Sequence, residues 1–190
     1  MTTVVYDACV LYPAALLDML MRVSLAGLVR ARWTDAILDE CFAAILKTRP
    51  SMNVVALKRT RLLMNKAVLD CQVTDYESLI PNLNLPDPGD RHVLAAALRC
   101  KAQFIVTFNL KDFPKEALNP FGLEALDPDS YMLKLIELAP IRMASVISEQ
   151  AEDLRNPPIS IGELLETLKQ QGLTQSVAQL RGLLSYKEQR

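Results

Sequence analysis

The stretch from Leu85 to Pro114, LPDPGDRHVLAAALRCKAQFIVTFNLKDFP, is the part of the chain whose reading decides the fold. Asp87 is a good N-cap, Pro88 suits a first helical position, and Asp90 falls three residues after the cap, where a carboxylate faces free N–H groups. The helix that follows presents Val93, Leu94, Ala97 and Leu98 on one apolar face, and Ala95 and Ala96 permit close approach to a sheet. It stops near Arg99 to Lys101. Phe104 to Val106 is a short apolar run of the kind found in buried parallel strands, and Thr107, Phe108, Asn109, Leu110, Lys111 and Asp112 follow it directly. In open α/β sheets, ligands sit at the carboxyl ends of strands, so the stretch reads as one wall of a metal site.

The same alternation extends outward. Thr3 to Tyr6 is predicted as a first strand ending at Asp7, and Pro13 to Leu28 as a helix with Leu16, Leu17, Leu20 and Val23 inward, stopped near Gly27. Thr34 can cap a helix from Asp35 to about Lys47 that carries Glu40, and Ser51 a further one from about Met52 to Leu69. Val73 begins a short strand. Leu123 to Leu126 reads as a last strand, and Asp127-Pro128 opens a helix through Leu138. This order predicts a three-layer α/β/α domain with a central, mainly parallel sheet over residues 1–139. From residue 140 to 190 only helical patterns remain, near Ile141 to Leu154, Ser160 to Gln171 and Thr174 to Leu184. Their apolar positions, Ile161, Leu164, Leu165, Leu168, Val177, Leu180, Leu183 and Leu184, require a cover.

Composition narrows the classes. The 190 residues are 51% hydrophobic, which is ample for a core, and the net charge of −1 carries no global signal for nucleic acid. The distribution does. Between Met19 and Leu69 the acids are Asp35, Asp39 and Glu40, whereas Arg22, Arg30, Arg32, Lys47, Arg49, Lys58, Arg59, Arg61 and Lys66 are basic. Solvated helix surfaces account for some of this; a phosphate-binding rim around an acidic centre accounts for the segregation as well. Cys9, Cys41, Cys71 and Cys100 form no C-x-x-C pair and read as small core residues in a reducing compartment. Trp33 reads as packing too. No early stretch reaches the roughly 20 apolar residues of a membrane span, so a soluble cytoplasmic protein is expected.

Water can cleave a phosphodiester when the nucleophile is activated, the phosphate neutralised and the leaving oxygen stabilised. Hydrated Mg²⁺ or Mn²⁺ held by carboxylates serves all three needs. The chain lacks a G-x-x-x-x-G-K phosphate loop and a G-x-S-x-G elbow, and it has a single histidine. Carboxylates remain as the candidate chemistry.

Asp7 after the first strand, Glu40 on the second long helix, Asp90 in D-R-H-V-L-A-A-A-L, and T-F-N-L-K-D-F from Thr107 to Phe113 occur in an order that resembles the PIN-domain ribonucleases, and among them the VapC-type toxins of bacterial toxin–antitoxin modules. The resemblance spans about Thr3 to Leu138. It implies a divalent-metal-dependent endoribonuclease acting on structured RNA, dimeric, and held inactive by a cognate antitoxin. On the residues, an acid after Val4-Val5-Tyr6 gains nothing from a buried strand end unless partnered, which favours Asp7 as a metal ligand. Capping by Asp87 frees Asp90 for the metal, the choice the resemblance also makes. Where much of the family carries an acid two residues after the threonine, this chain has Asn109. The fourth carboxylate is then either lost or replaced by Asp112, and the loss would leave an RNA- or antitoxin-binding module without cleavage. The expected roles are Asp7, Asp90 and Asp112 as metal ligands, with Glu40 beside them in catalysis. Thr107, Asn109, Arg49, Arg59 and Arg61 are placed against substrate, and Thr107 can donate to Asp7. His92 reads as a helix-surface or phosphate-contacting residue. A phosphohydrolase with Asp7 as nucleophile is the remaining alternative; it wants a second acid two residues on, where Cys9 stands.

Overall fold

The computed structural model describes residues 1–188. They fold as two compact units, one of residues 1–12 and 29–127, the other of residues 13–28 and 128 onward. The expected boundary at residue 139 thus falls inside the second unit, whose later segment starts at Pro128.

The first unit carries a central parallel sheet of four strands, β1 (Thr2–Tyr6), β2 (Val29–Arg32), β3 (Phe104–Val106) and β4 (Glu124–Leu126). Their order is β2-β1-β3-β4, and each pairing is parallel, with Val4 opposite Ala31 and Phe104. The expected α/β/α architecture is therefore the one observed. Because the chain passes from β1 to one neighbour and later returns on the other side, the carboxyl ends of β1 and β3 form a topological switch point, the place where α/β sheets leave a crevice. Val4, Val5, Tyr6, Ile105 and Val106 are fully buried, as parallel strands covered on both faces must be.

The helices of this unit are α1 (Ala8–Leu11), α3 (Asp35–Thr48), α4 (Val54–Ala67), α5 (Arg91–Arg99) and α6 (Lys115–Leu118). Thr34 caps α3 as expected, accepting from the Ile37 amide at 3.1 Å. The cap of α4 is Asn53 rather than Ser51; its side chain accepts from Val55 N at 2.8 Å. Asp87 caps a 3-10 turn, Pro88–Asp90, and α5 starts only at Arg91. The strand expected at Val73 is reduced to one parallel bridge in which Trp33 N donates to Cys71 O and Val73 N to Trp33 O, both at 2.9 Å. Trp33 is fully buried, and its indole N–H donates to Asn65 Oδ1 at 2.9 Å.

The second unit contains α2 (Ala14–Leu25), α7 (Pro128–Leu138), α8 (Pro140–Asp153), α9 (Ile161–Gln170) and α10 (Thr174–Glu188). Gly27, at φ 71°, ends α2 in the left-handed conformation open to glycine. Within the unit α10 packs on α7, α8 and α9, and α2 on α8 and α9. The apolar stripe of the last helices is covered in this way, with Met143, Ile147, Leu164, Leu165, Leu168, Val177 and Leu180 buried. Asp129 closes the N-terminus of α10: it accepts from Gln175 N at 2.9 Å and from Ser176 N and Oγ at 2.8 and 2.6 Å.

Candidate metal centre

The centre is built on Asp7, which ends β1 and is 4% exposed. A carboxylate so placed is costly unless hydrogen bonds replace its lost water. Three donors do so. Ala8 N reaches Oδ1 at 2.7 Å, and Thr107 Oγ1 and Cys9 Sγ reach Oδ2 at 2.7 and 3.0 Å. Asp7 N in turn donates to Val106 O, extending the pairing of β1 with β3 by one residue. The expected bond from Thr107 to Asp7 is thus present. Thr107 is itself fully buried at the end of β3, and its hydroxyl accepts from Asn109 N at 2.9 Å, which fixes the turn after the strand.

Asp90 stands half-buried at the start of α5 and makes no side-chain cap bond. Its pKa is pushed from the ordinary 3.8 to about 6, first by burial and then by the negative charges of Asp7, Asp87, Asp112 and Glu40. Acids on four elements of the fold therefore lie near enough for their charges to act on Asp90. Asp112, in the 3-10 turn Leu110–Asp112, is half-buried, whereas Glu40 on α3 and Asn109 are exposed. Among the described residues no three His, Cys, Asp or Glu side chains stand as a closed ligand set. The acids share a field without converging on one point in this conformation. As chemistry, the donor set fits a hard divalent cation, because it is made of carboxylates that repel one another without one.

Three residues stand elsewhere than the sequence suggested. His92 is not a surface residue: its side chain is 13% exposed, and Nε2 lies 2.9 Å from Glu40 Oε1. That approach is off the N–H axis, so neither ring nitrogen has an aligned hydrogen bond. Burial lowers the His92 pKa, but Glu40, Asp7 and Asp90 outweigh it and the net direction is upward. Arg61 is engaged on α3. Its guanidinium pairs with Asp35 and Asp39 and lies 5.4 Å from the Phe42 ring centre, bordering a 560 Å³ cavity between α3 and α4. Arg49 and Arg59 are exposed, the first at the end of α3 and the second on α4. Cys9, expected to be packing, contacts Asp7 and also accepts from Phe108 N at 3.2 Å. Burial foremost, and then Asp7, push its thiol up to about 12, so it stays protonated.

A parallel sheet with a switch point between β1 and β3, and acids at its carboxyl edge, defines the class. The chain belongs to the PIN-domain family, whose pattern matches residues 2–111. A second family, described as the VapC50 C-terminal domain, matches residues 128–182, within the helical second unit. The chain is similar to the "Putative ribonuclease VapC50" of Mycobacterium tuberculosis (strain ATCC 25618 / H37Rv), at 42% identity over 96 residues. That alignment takes in 50% of this chain and 56% of the relative, so the chain spans little more than half the relative's length. No solved structure matches the chain.

Proposed function

We propose that the chain is a divalent-metal-dependent endoribonuclease, the toxin of a toxin–antitoxin module. The observation that carries this reading is the field around Asp90, to which acids from β1, α3 and two turns all contribute near the switch point of a PIN-family sheet. Asp7, Asp90 and Asp112 hold the cation, Mg²⁺ or Mn²⁺. When bound, it supplies charge neutralisation for the phosphate and acidity for the attacking water. The Ala8 amide, Thr107 hydroxyl and Cys9 thiol fix the Asp7 carboxylate before substrate arrives, which lowers the reorganisation the reaction requires. Glu40, steadied through Oε1 by His92, accepts the proton of the attacking water at its other oxygen. Thr107 and Asn109 shape the floor beneath the scissile phosphate. Arg49 and Arg59 attract the flanking phosphates, with Arg61 held nearby by α3.

The substrate is RNA, the working form a homodimer in the cytoplasm, and the regulator a cognate antitoxin protein. Among the described residues no helix is long and apolar enough to cross a membrane. The decisive test is cleavage of a structured RNA with Mg²⁺ or Mn²⁺. Asp7→Asn and Asp90→Asn are expected to abolish product while keeping the circular dichroism of the parent, and chelator is expected to do the same to the parent. Full cleavage by either variant removes the assignment. Asn109 favours one second reading, an RNA- or antitoxin-binding module without turnover; it predicts RNA binding and no chelator-sensitive product. Growth arrest on expression, relieved by a co-expressed antitoxin, tests the toxin role separately.

A further inference from the structure

We propose that Cys9 is a positioning residue of the metal centre, its thiol tying the Asp7 carboxylate to the loop after β3 so that one acceptor site of Asp7 stays open for a cation; this rests on the metal-dependent reading above. Three polar atoms surround the sulfur: Asp7 Oδ2 at 3.0 Å, Phe108 N at 3.2 Å and Thr107 Oγ1 at 3.4 Å. A thiol has one proton to give. Thr107 already donates its own hydroxyl proton to Asp7, and a charged acceptor outcompetes a neutral one, so the S–H points to Asp7. The sulfur lone pairs then receive the Phe108 amide. Cys71 and Cys100, by comparison, reach their partners only at 3.8 and 3.6 Å, as weakly polar packing residues do.

The arrangement has two consequences for Asp7. An ionised carboxylate offers about four acceptor sites, and Ala8 N, Thr107 and Cys9 occupy three of them. The remaining one is what a cation can take. Second, the link is long in sequence though short in space: Phe108 is 99 positions from Cys9. Cys9 therefore fastens the end of β1 to the turn that presents Asn109 and Asp112. Without a donor at position 9, Asp7 gains freedom to swing and Phe108 N loses its acceptor. A hydroxyl keeps both contacts on a slightly shorter arm.

The test compares the metal-free parent with Cys9→Ala, Cys9→Val and Cys9→Ser, using Mn²⁺ titration calorimetry and amide hydrogen exchange at Phe108. Cys9→Ala is expected to weaken Mn²⁺ binding about tenfold, the low end for residues that orient a ligand, and to speed exchange at Phe108. Cys9→Ser is expected to restore both to near the parental values. If Cys9→Ala fails to fold, Cys9→Val fills the volume without a donor and takes its place. Parental Mn²⁺ affinity and parental exchange in the Ala or Val variant overturn the proposal, as does equal impairment of Ser and Ala. If the parent binds no Mn²⁺, the metal reading itself fails, and Phe108 exchange alone then decides the role of Cys9.

Discussion

Asp90→Asn should make the metal-free protein more stable near neutral pH while removing the proposed RNA cleavage. The Asp90 carboxyl rises from 3.8 to about 6 on folding, through burial and then Asp7, Asp87, Asp112 and Glu40. A raised carboxylate pKa means that the folded state binds this proton more tightly than the unfolded chain. Between the two values the folded state holds the extra proton, so this group's contribution falls as pH climbs from about 4 to about 6 and stays low above it. At about 1.4 kcal/mol per pH unit the full effect is bounded near 3 kcal/mol. Asp90 is only half-buried, and solvent screening brings the expected gain to about 1 kcal/mol. Because its side chain makes no cap bond, the amide forfeits nothing in exchange. For a chain of this size that is a rise in Tm of roughly 2–4 °C. The assay is thermal unfolding in chelator at about pH 7.5 and about pH 4, where the parent's Asp90 is largely protonated and the gain should vanish. An equal Tm for parent and variant at the higher pH, or the same offset at both, refutes the reasoning. If the proposed metal site holds, added Mg²⁺ should reverse the ranking, since only the parent keeps all three proposed carboxylate ligands.

Two further predictions concern polar atoms that hold the units together internally. Asn65→Leu removes the acceptor of the buried Trp33 indole N–H and of Gln72 Nε2, and denaturant unfolding should show a loss of about 1–3 kcal/mol, the cost of an unmet buried donor; an unchanged midpoint would show that the indole finds another partner. Asp129→Ala strips α10 of its three-bond cap, and should cost about 2 kcal/mol while leaving Mn²⁺ affinity in the other unit unaltered.

Much of the architecture was legible because its signals are local. Thr34 caps α3, Phe104–Val106 is a strand, and Gly27 ends α2, each as residue chemistry implies. The rest depends on partners. β2 is Val29–Arg32, a strand of four residues in which Arg30 and Arg32 alternate with the buried Val29 and Ala31; without β1 beside it the segment reads as a basic linker. The cap of α4 is Asn53 and not Ser51, although both residue types cap helices equally well in isolation. α7 reads as the last helix of the sheet domain because it follows β4 directly, whereas its contacts lie with α8 and α10.

The site separates along the same line. The acids could be named from the sequence because carboxylates placed after strands and at helix starts are conspicuous. Their donors could not, since Cys9 and Phe108, or Glu40 and His92, meet only after folding. Asp129 shows why the donors matter more than the acid. Like Asp7 it is a buried carboxylate, and by burial alone both qualify as functional. Asp129, however, takes its bonds from one helix start and the serine upon it, which is the use a helix N-terminus makes of any acid. Asp7 takes its bonds from β1's own turn, from the end of β3 and from a thiol, at the edge where the sheet reverses its order. Further acids lie close enough to perturb Asp90 along with it. A fold that needed only to satisfy Asp7 would not set the half-buried Asp90 among repelling charges, and that excess of negative charge is what a bound cation would offset.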